Sequence, residues 1–282
     1  MNSQNEQANH IRTGLLERFG STFDIDHNLP GLEELARIAA HRSHRKFADR
    51  PVPDELLRLL FACALSAPSK SDLQQADIIQ VADRDKVKAI ADGIPHMPWI
   101  SDAPVFLVFC GNNRRIRQIG EWRGKPFVND HLDHFMNAAV DAALVMMTFI
   151  RAGEAVGLGS CAISAVRDHC AEVSRVLALP KQVFPVAGLC VGYPASSGRI
   201  SPRLQMEVTV HLNHYDESRV RENIDAYDRR RHAVQPFRRQ RNADRYPDLA
   251  FYGWSEDKAR QYSIPERPDF GAFIRDIGFS LK

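Results

Sequence analysis

Four side chains suited to holding a phosphate are crowded into one short run, HRSHRKF at residues 41–47: His41, Arg42, Ser43 and Arg45. The planar arginine fork matches phosphate oxygens two at a time, while serine and histidine supply further donors. A second basic site lies far downstream, at Ser201, Pro202 and Arg203. Together the two sites predict a small phosphorylated ligand; a solvated turn remains the alternative for the first run taken alone.

Size and composition place these segments in an ordinary globular protein. The chain has 282 residues, of which 44% are hydrophobic and 26% charged, which excludes disordered and fibrous classes. A formal net charge of +2 is too small for general attraction to nucleic acid or to a membrane surface. Charge-driven binding must therefore come from local clusters.

The compartment is predicted from the N-terminus and the cysteines. The opening MNSQNEQANH is polar and lacks the layout of a secretory signal. The apolar stretch from Ala142 to Ile150 is well short of the ~20 residues that span a bilayer, so no transmembrane segment is expected. Five cysteines include no CxxC pair and resemble small core residues of a reducing compartment. These features predict a cytoplasmic protein.

Hydrophobic periodicity and turn residues predict mixed helices and strands, and hence an α+β protein. The predicted helices are 31–40, 53–65, 132–151, 168–179 and 220–231. The predicted strands are 77–82, 105–110, 160–165, 183–192 and 206–215. The predicted organisation is a leader over 1–30, a main domain over 31–215 and a C-terminal arm over 216–282 that wraps the core or a partner subunit.

The segment from Leu132 to Arg151 is apolar on most faces and carries small residues along its length. It predicts a central helix packed on several sides. Small side chains would also let it approach its counterpart in a second subunit. A core helix within one chain is the alternative that the pattern leaves open.

Four blocks in order resemble the FMN-dependent nitroreductase superfamily, especially its larger NADPH-preferring branch. They are HRSHRKF, APSKSDLQ at 67–74, GLGSCAIS at 157–164, and GLCVGYP followed by SPRL at 201–204. The resemblance implies a nitroreductase-like sandwich with a mainly antiparallel sheet flanked by helices. It also implies a homodimer with two FMN molecules in the interface. Hydride would pass from NADPH to FMN and on to nitroaromatic, quinone or flavin acceptors, with ping-pong kinetics.

The resemblance also assigns roles to the basic residues. It implies that His41 and Arg42 face the FMN phosphate, that Ser43 lies by the ribityl chain or phosphate, and that Arg203 closes on the phosphate. Arg45 would face the N1 and O2 edge of the ring, where a permanent cation favours the reduced, negatively charged flavin. Ser201 stands where a lysine is common in relatives, which leaves Arg203 more of the phosphate contact.

Two further blocks match the ring-binding segments of relatives. Ser69, Lys70 and Ser71 match the loop that reaches FMN from the partner subunit, and Gln74 matches a residue near the flavin pyrimidine; a serine-rich helix terminus is the alternative. The strand end that offers backbone N–H groups to flavin N5 and O4 corresponds to Ile163, Ser164 and Ala165. Relatives carry two glycines where this chain has Ser164 and Ala165, so the approach on that face is expected to be tighter.

Three other segments concern the rest of the pocket. Met97–Trp99 replaces polar residues that relatives present to the flavin, and a core position is the expectation for Trp99. The stretch from Arg114 to Asp130 occupies the family's variable region and is interpreted as a lid. Arg238 falls where the branch places an arginine for the phosphates of NADPH, with a solvated loop as the interpretation for Arg239 and Arg241. No GxGxxG follows a strand, which disfavours a Rossmann site.

Other chemistries fit the sequence less well. The cluster around His131 and His134 lacks HExxH, and Cys161 lacks a GxSxG elbow, so neither a metal site nor a nucleophile is predicted. His211 and His214 would point to opposite faces of a strand. A nucleic-acid-binding tail is an alternative, because Glu217 to Arg245 holds nine arginines, but five acidic residues are interspersed among them. A dehalogenase or a flavin-modifying enzyme of the same superfamily is the other alternative.

Overall fold

The computed structural model describes residues 2–282. The strands are β1 (Ala76–Gln80), β2 (Val105–Asn112), β3 (Gly159–Ile163) and β4 (Val183–Gly192). The helices are α1 (Asn2–Phe19), α2 (Leu32–Ala39), α3 (Asp54–Leu65), α4 (Arg84–Asp92), α5 (Arg114–Trp122), α6 (Leu132–Ala155), α7 (Cys170–Val176), α8 (Met206–Thr209), α9 (Val220–Val234), α10 (Trp254–Tyr262) and α11 (Phe270–Asp276). Residues up to Arg42 with Arg199–Glu266 form one compact unit, and Ser43–Gly198 with Arg267–Lys282 form a second.

The second unit is built on a four-stranded sheet of order β1-β2-β4-β3, in which every neighbouring pair is antiparallel. The long strands β2 and β4 are buried along nearly their whole length because they occupy the middle of the sheet. The shorter β1 and β3 form its edges. The predicted α+β class with an antiparallel sheet is confirmed.

Alternate residues of β2 belong to two separate cores, one on each face of the sheet. Phe106, Val108 and Cys110 pack with α4 and α7, while Val105, Leu107 and Phe109 pack with α3 and α6. The alternation follows from the two-residue period of a strand. A helical layer on both faces gives the sandwich its two cores.

The 24-residue helix α6 packs on the sheet along one face only. Its buried residues include Ala138, Ala142, Val145 and Phe149. On another face it exposes an apolar row spaced by three and four residues: Leu132, Met136, Val140, Leu144 and Met147. Among residues 2–282, α6 is also the one helix long and apolar enough to cross a membrane by length and composition, a test that core helices of soluble proteins pass too.

The last residues of the chain belong to the second unit. Ile274 of α11 and Phe279 beyond it pack with Ala138 of α6 and Phe184 of β4 in a third cluster. The ring of Phe279 meets those of Phe135 and Phe184 edge-on, at centroid distances of 5.8 and 5.5 Å. The C-terminal end is therefore part of the core of that unit.

The first unit is helical. In it α1 packs on α2 through Ile11, Leu32 and Ala39. Tyr227 of α9 meets Trp254 of α10 edge-on at a centroid distance of 5.4 Å. The carboxylate of Asp228 on α9 accepts hydrogen bonds from the backbone N–H and hydroxyl of Ser255, which holds the start of α10.

One predicted strand is wrong. Residues 206–215 form the short helix α8 followed by irregular chain, with Val210, Leu212 and Tyr215 largely exposed. The β-branched run Val208–Val210 suggested a strand, but a strand needs a neighbour to satisfy its backbone groups, and the sheet of the described chain has none there. The stated alternation of His211 and His214 across a strand falls with it. Helix α1 also lies where the sequence indicated only a polar leader.

Candidate functional site

In the second unit the run after Arg42 lies along the free edge of β3. Ser43 forms a parallel bridge with Ser160, and the N–H of His44 donates to the carbonyl of Ser160 at 2.9 Å. Phe47 then bridges to Pro194 beyond the end of β4. This pairing holds the segment extended and leaves the side chains of Ser43 and Arg45 exposed at the sheet edge.

Arg45 lies next to Trp99 and Cys161. Its guanidinium carbon is 5.9 Å from the centroid of the Trp99 ring, which itself packs on the core as expected. Cys161 on β3 lies next to Arg45 and Ser43. Burial raises the pKa of the Cys161 thiol, and the positive charge of Arg45 offsets part of that rise. A buried thiol with a raised pKa suits the predicted structural role of Cys161 rather than a nucleophile.

The predicted backbone donors lie where β3 ends. Ile163 closes the strand, and Ser164 and Ala165 open a short 3-10 helix over Ser164–Arg167. The first N–H groups of such a helix have no partner within it, so they can serve a ligand. The hydroxyl of Ser164 accepts a hydrogen bond from Arg267 Nη2 at 3.4 Å, and Arg267 is ion-paired with Asp168.

A third group of predicted residues lies on the loop between α3 and β1. Lys70, Ser71 and Gln74 are exposed, whereas the Ser69 hydroxyl donates to Asp141 Oδ2 at 2.7 Å. Asp141 was not among the residues predicted to belong to the site. In the structure Asp141 is 1% exposed and lies directly under this loop.

Next to this loop, the side-chain amide of Gln75 is buried and has no hydrogen-bond partner within residues 2–282. Gln75 and Asp141 line a cavity of about 440 Å³. Arg115, at the start of α5, also lines the cavity and donates to the carbonyl of Gln74. The predicted lid segment thus begins in contact with the predicted ring-binding loop.

In the first unit both predicted phosphate segments are tied to one residue, Arg18. Its guanidinium donates to the carbonyls of His41 and, at 3.4 Å, of Ser201. Its own carbonyl accepts the N–H of Arg203 at 2.7 Å. The structure therefore brings His41 and Arg42 near Ser201 and Arg203, although about 160 residues of sequence separate the two segments. Arg18 belongs to no motif, so the sequence gives no sign of these contacts.

Ser201 and Arg203 also border a cavity of about 570 Å³ in the first unit. Arg231 and Lys258 add two more positive charges to its wall. Arg238 is exposed and makes no hydrogen bond or ion pair with residues 2–282. Its neighbour Arg241 is instead paired with the buried carboxylate of Asp257 at 3.1 Å. Of this arginine cluster, Arg238 is thus available to a ligand, while Arg241 serves the fold.

The predicted lid is held at its base. Arg117 on α5 is ion-paired with Asp130 and lies 4.3 Å from the centroid of the Phe127 ring. His134 packs against the same ring at 4.9 Å and is 5% exposed. Burial, reinforced by the charge of Arg117, lowers the pKa of His134 to about 4. Residues 2–282 contain no group of three or more metal-ligating side chains, including around His131 and His134.

Solved structures that share this fold include an oxidoreductase that uses FMN. The NADPH:FMN oxidoreductase from Vibrio harveyi, complexed with NAD+, aligns with a TM-score of 0.78 at 27% identity over 88% of this chain and 99% of that one. B. megaterium NfrA2 aligns with a TM-score of 0.80 at 31% identity over 89% and 99%. The fold and the site define an α+β oxidoreductase of the flavin-linked class.

Sequence comparison then identifies the family. A model described as "Nitroreductase family" matches residues 38–193, and one described as "Nitroreductase family, C-terminal domain" matches 201–282. The FMN reductase [NAD(P)H] of Bacillus subtilis is 32% identical over 89% of this chain and 99% of its own length. The NADPH-flavin oxidoreductase of Vibrio harveyi is 30% identical over 87% and 97%. The chain belongs to the nitroreductase family, as the four blocks predicted.

Proposed function

We propose that the protein is an NADPH-dependent FMN oxidoreductase that reduces nitroaromatic, quinone or flavin acceptors. Membership of the nitroreductase family supports the class, and the names of the relatives support FMN and NAD(P)H as cofactors. The observation that carries the proposal is the meeting of the two predicted phosphate segments around Arg18. Segments rich in cationic donors that come together in the fold are suited to binding one anion.

The residues present fit FMN. In the first unit His41, Arg42, Ser201 and Arg203 make a cationic and hydroxyl donor set suited to a phosphate dianion. In the second unit Arg45 offers a permanent charge, and Ser164 and Ala165 offer backbone N–H groups. The unpartnered, buried amide of Gln75 suits the alternating donors and acceptors of a flavin pyrimidine edge.

Each protein group has a distinct task in this proposal. Bound FMN would accept a hydride from NADPH and deliver it to the acceptor. Arg45 favours the reduced state by facing the edge where negative charge grows. Arg42 and Arg203 hold the phosphate, while Lys70, Ser71 and Gln74, on the loop that begins at Ser69 and reaches FMN from the partner subunit, complete the ring site. The absence of a paired acid and base among these residues fits a reaction in which the protein supplies placement and charge.

Preference for NADPH rests on Arg238, the exposed and unpaired guanidinium of the tail. The 2′-phosphate is the one charged group that NADPH has and NADH lacks, and arginine is well suited to bind it. Other tail arginines are paired with acids, for example Arg219 with Glu222 and Arg221 with Asp225. This pairing weakens the case for a nucleic-acid-binding tail.

The test begins with the purified protein, which should be yellow and release FMN on denaturation. It should oxidise NADPH with nitroaromatic, quinone and flavin acceptors, and parallel double-reciprocal plots would indicate ping-pong kinetics. Arg238→Ala should raise the KM for NADPH about tenfold, the value of one charged hydrogen bond, without changing that for NADH. Arg229→Ala, at an exposed site on α9, is the matched control. A colourless protein that does not take up FMN would end the proposal.

The same proposal includes a cytoplasmic homodimer. The exposed apolar row of α6 is the surface expected to meet a second copy, because a continuous apolar stripe on a helix is costly in water. All five cysteines are free, which suits a reducing compartment.

Residues 114–130 act as the lid over the acceptor. Residues 216–282 act as the arm that follows the 31–215 domain and its 1–30 leader.

A further inference from the structure

We propose that Asp141 is the positioning residue of the ring-binding loop, holding Ser69–Gln75 in the conformation that receives FMN. The inference rests on the proposed function, since it assigns a task to a residue outside the predicted contact set. Asp141 occupies the middle of α6, where it is 1% exposed in an otherwise apolar stretch. A buried carboxylate is costly unless it is fully hydrogen-bonded. Its partners therefore indicate its task.

Within residues 2–282, all the hydrogen-bond partners of Asp141 come from the loop. Oδ2 accepts the Ser69 hydroxyl at 2.7 Å and the N–H of Gln75 at 3.1 Å, and Oδ1 accepts the N–H of Lys70 at 3.1 Å. The Ser69 oxygen in turn accepts the N–H of Gln74 at 2.8 Å. One carboxylate thus holds both ends of the loop, directly and through Ser69.

The backbone between those ends needs such a clamp. Ser71, Asp72 and Gln74 have φ values of 51°, 56° and 51°, in the left-handed region that favours glycine. This conformation is unfavourable for a residue with a β-carbon. With three such residues among four positions, the loop would relax into a different conformation if its ends were not held. The hydrogen bonds to Asp141 supply those fixed points.

The clamp also separates the roles of the loop side chains. The Ser69 hydroxyl is occupied by Asp141 and by Gln74 N–H, so Ser69 is an anchor of the loop. Lys70, Ser71 and Gln74 are exposed and remain able to reach a ligand. Their placement depends on the anchored backbone. A loop that was flexible in the free protein would lose conformational entropy on binding FMN, which would weaken the affinity. Asp141 therefore acts on FMN affinity through the loop.

The test measures FMN binding to the reconstituted full-length protein. The substitution Asp141→Asn keeps the shape of the side chain. It replaces one carboxylate oxygen with an amide NH₂, which cannot accept a hydrogen bond from the loop, so at least one charged hydrogen bond is lost. We expect the Kd for FMN to rise about tenfold or more, since such a bond is worth about 1.5 to 3 kcal/mol. Ser69→Ala keeps both backbone bonds to Asp141 and should give a smaller rise. Asp133→Asn, at an exposed site on the same helix, is the control.

The readout combines FMN fluorescence quenching, the visible circular dichroism of bound FMN and the Tm of the apoprotein. The clamp is supported if Asp141→Asn raises the Kd for FMN and alters the flavin spectrum, Ser69→Ala does so to a smaller extent, and Asp133→Asn leaves both unchanged. If Asp141→Asn does not fold, the Ser69→Ala result decides. A lowered Tm with unchanged Kd would overturn the inference and leave only a structural role. Failure of the wild type to bind FMN would instead contradict the proposed function.

Discussion

Arg45 stands at the exposed sheet edge between a buried thiol and a tryptophan ring. Its type and its position in the run were enough to predict a cation near the ligand. The sequence could not show what surrounds it, because Trp99 and Cys161 come from distant segments. The structure shows that Arg45 lies beside β3, the strand whose end is proposed to offer backbone donors to the ligand.

We expect Arg45→Gln to slow flavin reduction by NADPH about tenfold or more and to make the FMN midpoint potential more negative. The reason is the loss of a fixed charge where the reduced ring is anionic, an effect of at least ~1.4 kcal/mol on the barrier. Stopped-flow bleaching of the flavin absorbance and a dye-equilibrated reductive titration measure the two quantities. Lys46→Gln, at the exposed neighbouring position, is the control. Equal rates and potentials in both variants would remove Arg45 from this role.

His134 gives the protein a predictable response to acid. Its pKa is lowered from 6.5 to about 4, so the unfolded chain binds the proton more readily than the folded one. The free energy of unfolding therefore falls as the pH drops through 6.5 toward 4. The loss between pH 7 and pH 4 is about 3 kcal/mol for a shift of this size.

His134→Phe should make the free energy of unfolding depend less on pH between 7 and 4, because it removes the titrating group from the contact with Phe127. Urea unfolding between pH 7 and pH 4.5 measures the effect, with His96→Gln at an exposed site as control. An unchanged slope in His134→Phe would show that other groups cause the acid response.

Two residues that contact the candidate site segments were not predicted from the sequence. Asp141 interrupts an apolar stretch, and Arg18 lies in the segment that the sequence indicated only as a leader; neither position belongs to a motif. Their importance comes from contacts with segments far away in the chain. A single buried charge in a helix was nevertheless a usable signal, because it must find partners somewhere.

At the scale of elements, the strongest patterns gave the best predictions. Helix α3 was placed by Pro53 and two acids at its start, and β4 by an apolar run with clear ends; the predicted strand 183–192 coincides with the structure. The wrong strand at 206–215 had the right residue types but no partner. Strand propensity reflects pairing and burial more than the backbone of the segment itself.

Helix α11 and the residues after it should contribute much of the stability of the second unit. Phe279 is 3% exposed and contacts two other rings, so Phe279→Ala leaves a cavity and is expected to cost about 3 kcal/mol or more. Urea unfolding followed by circular dichroism measures it. Tyr262→Ala, at a ring that is 77% exposed, should change stability little. Equal effects of the two changes would mean that the third cluster contributes nothing.

At the scale of the whole molecule, the class and the family were within reach of the sequence because four motifs occur in order. The arrangement of compact units was not, since each unit joins segments from distant parts of the chain. The predicted boundaries at 30 and 215 stay predictions. The homodimer also stays a prediction, and the surface proposed to carry it is an exposed apolar one.

That surface is the apolar row of α6, and changing it should separate the proposed dimer. Val140 is 46% and Leu144 37% exposed, so glutamate at both positions is tolerated in a single chain but would be buried unpaired between two. We expect Val140→Glu/Leu144→Glu to behave as a monomer in size-exclusion chromatography with light scattering. Ala171→Glu, at an exposed site on α7, should leave the assembly unchanged. Because relatives are expected to complete the FMN site from the partner subunit, the monomer should also lose FMN. A dimer that persists in the double variant would place the interface elsewhere on the molecule.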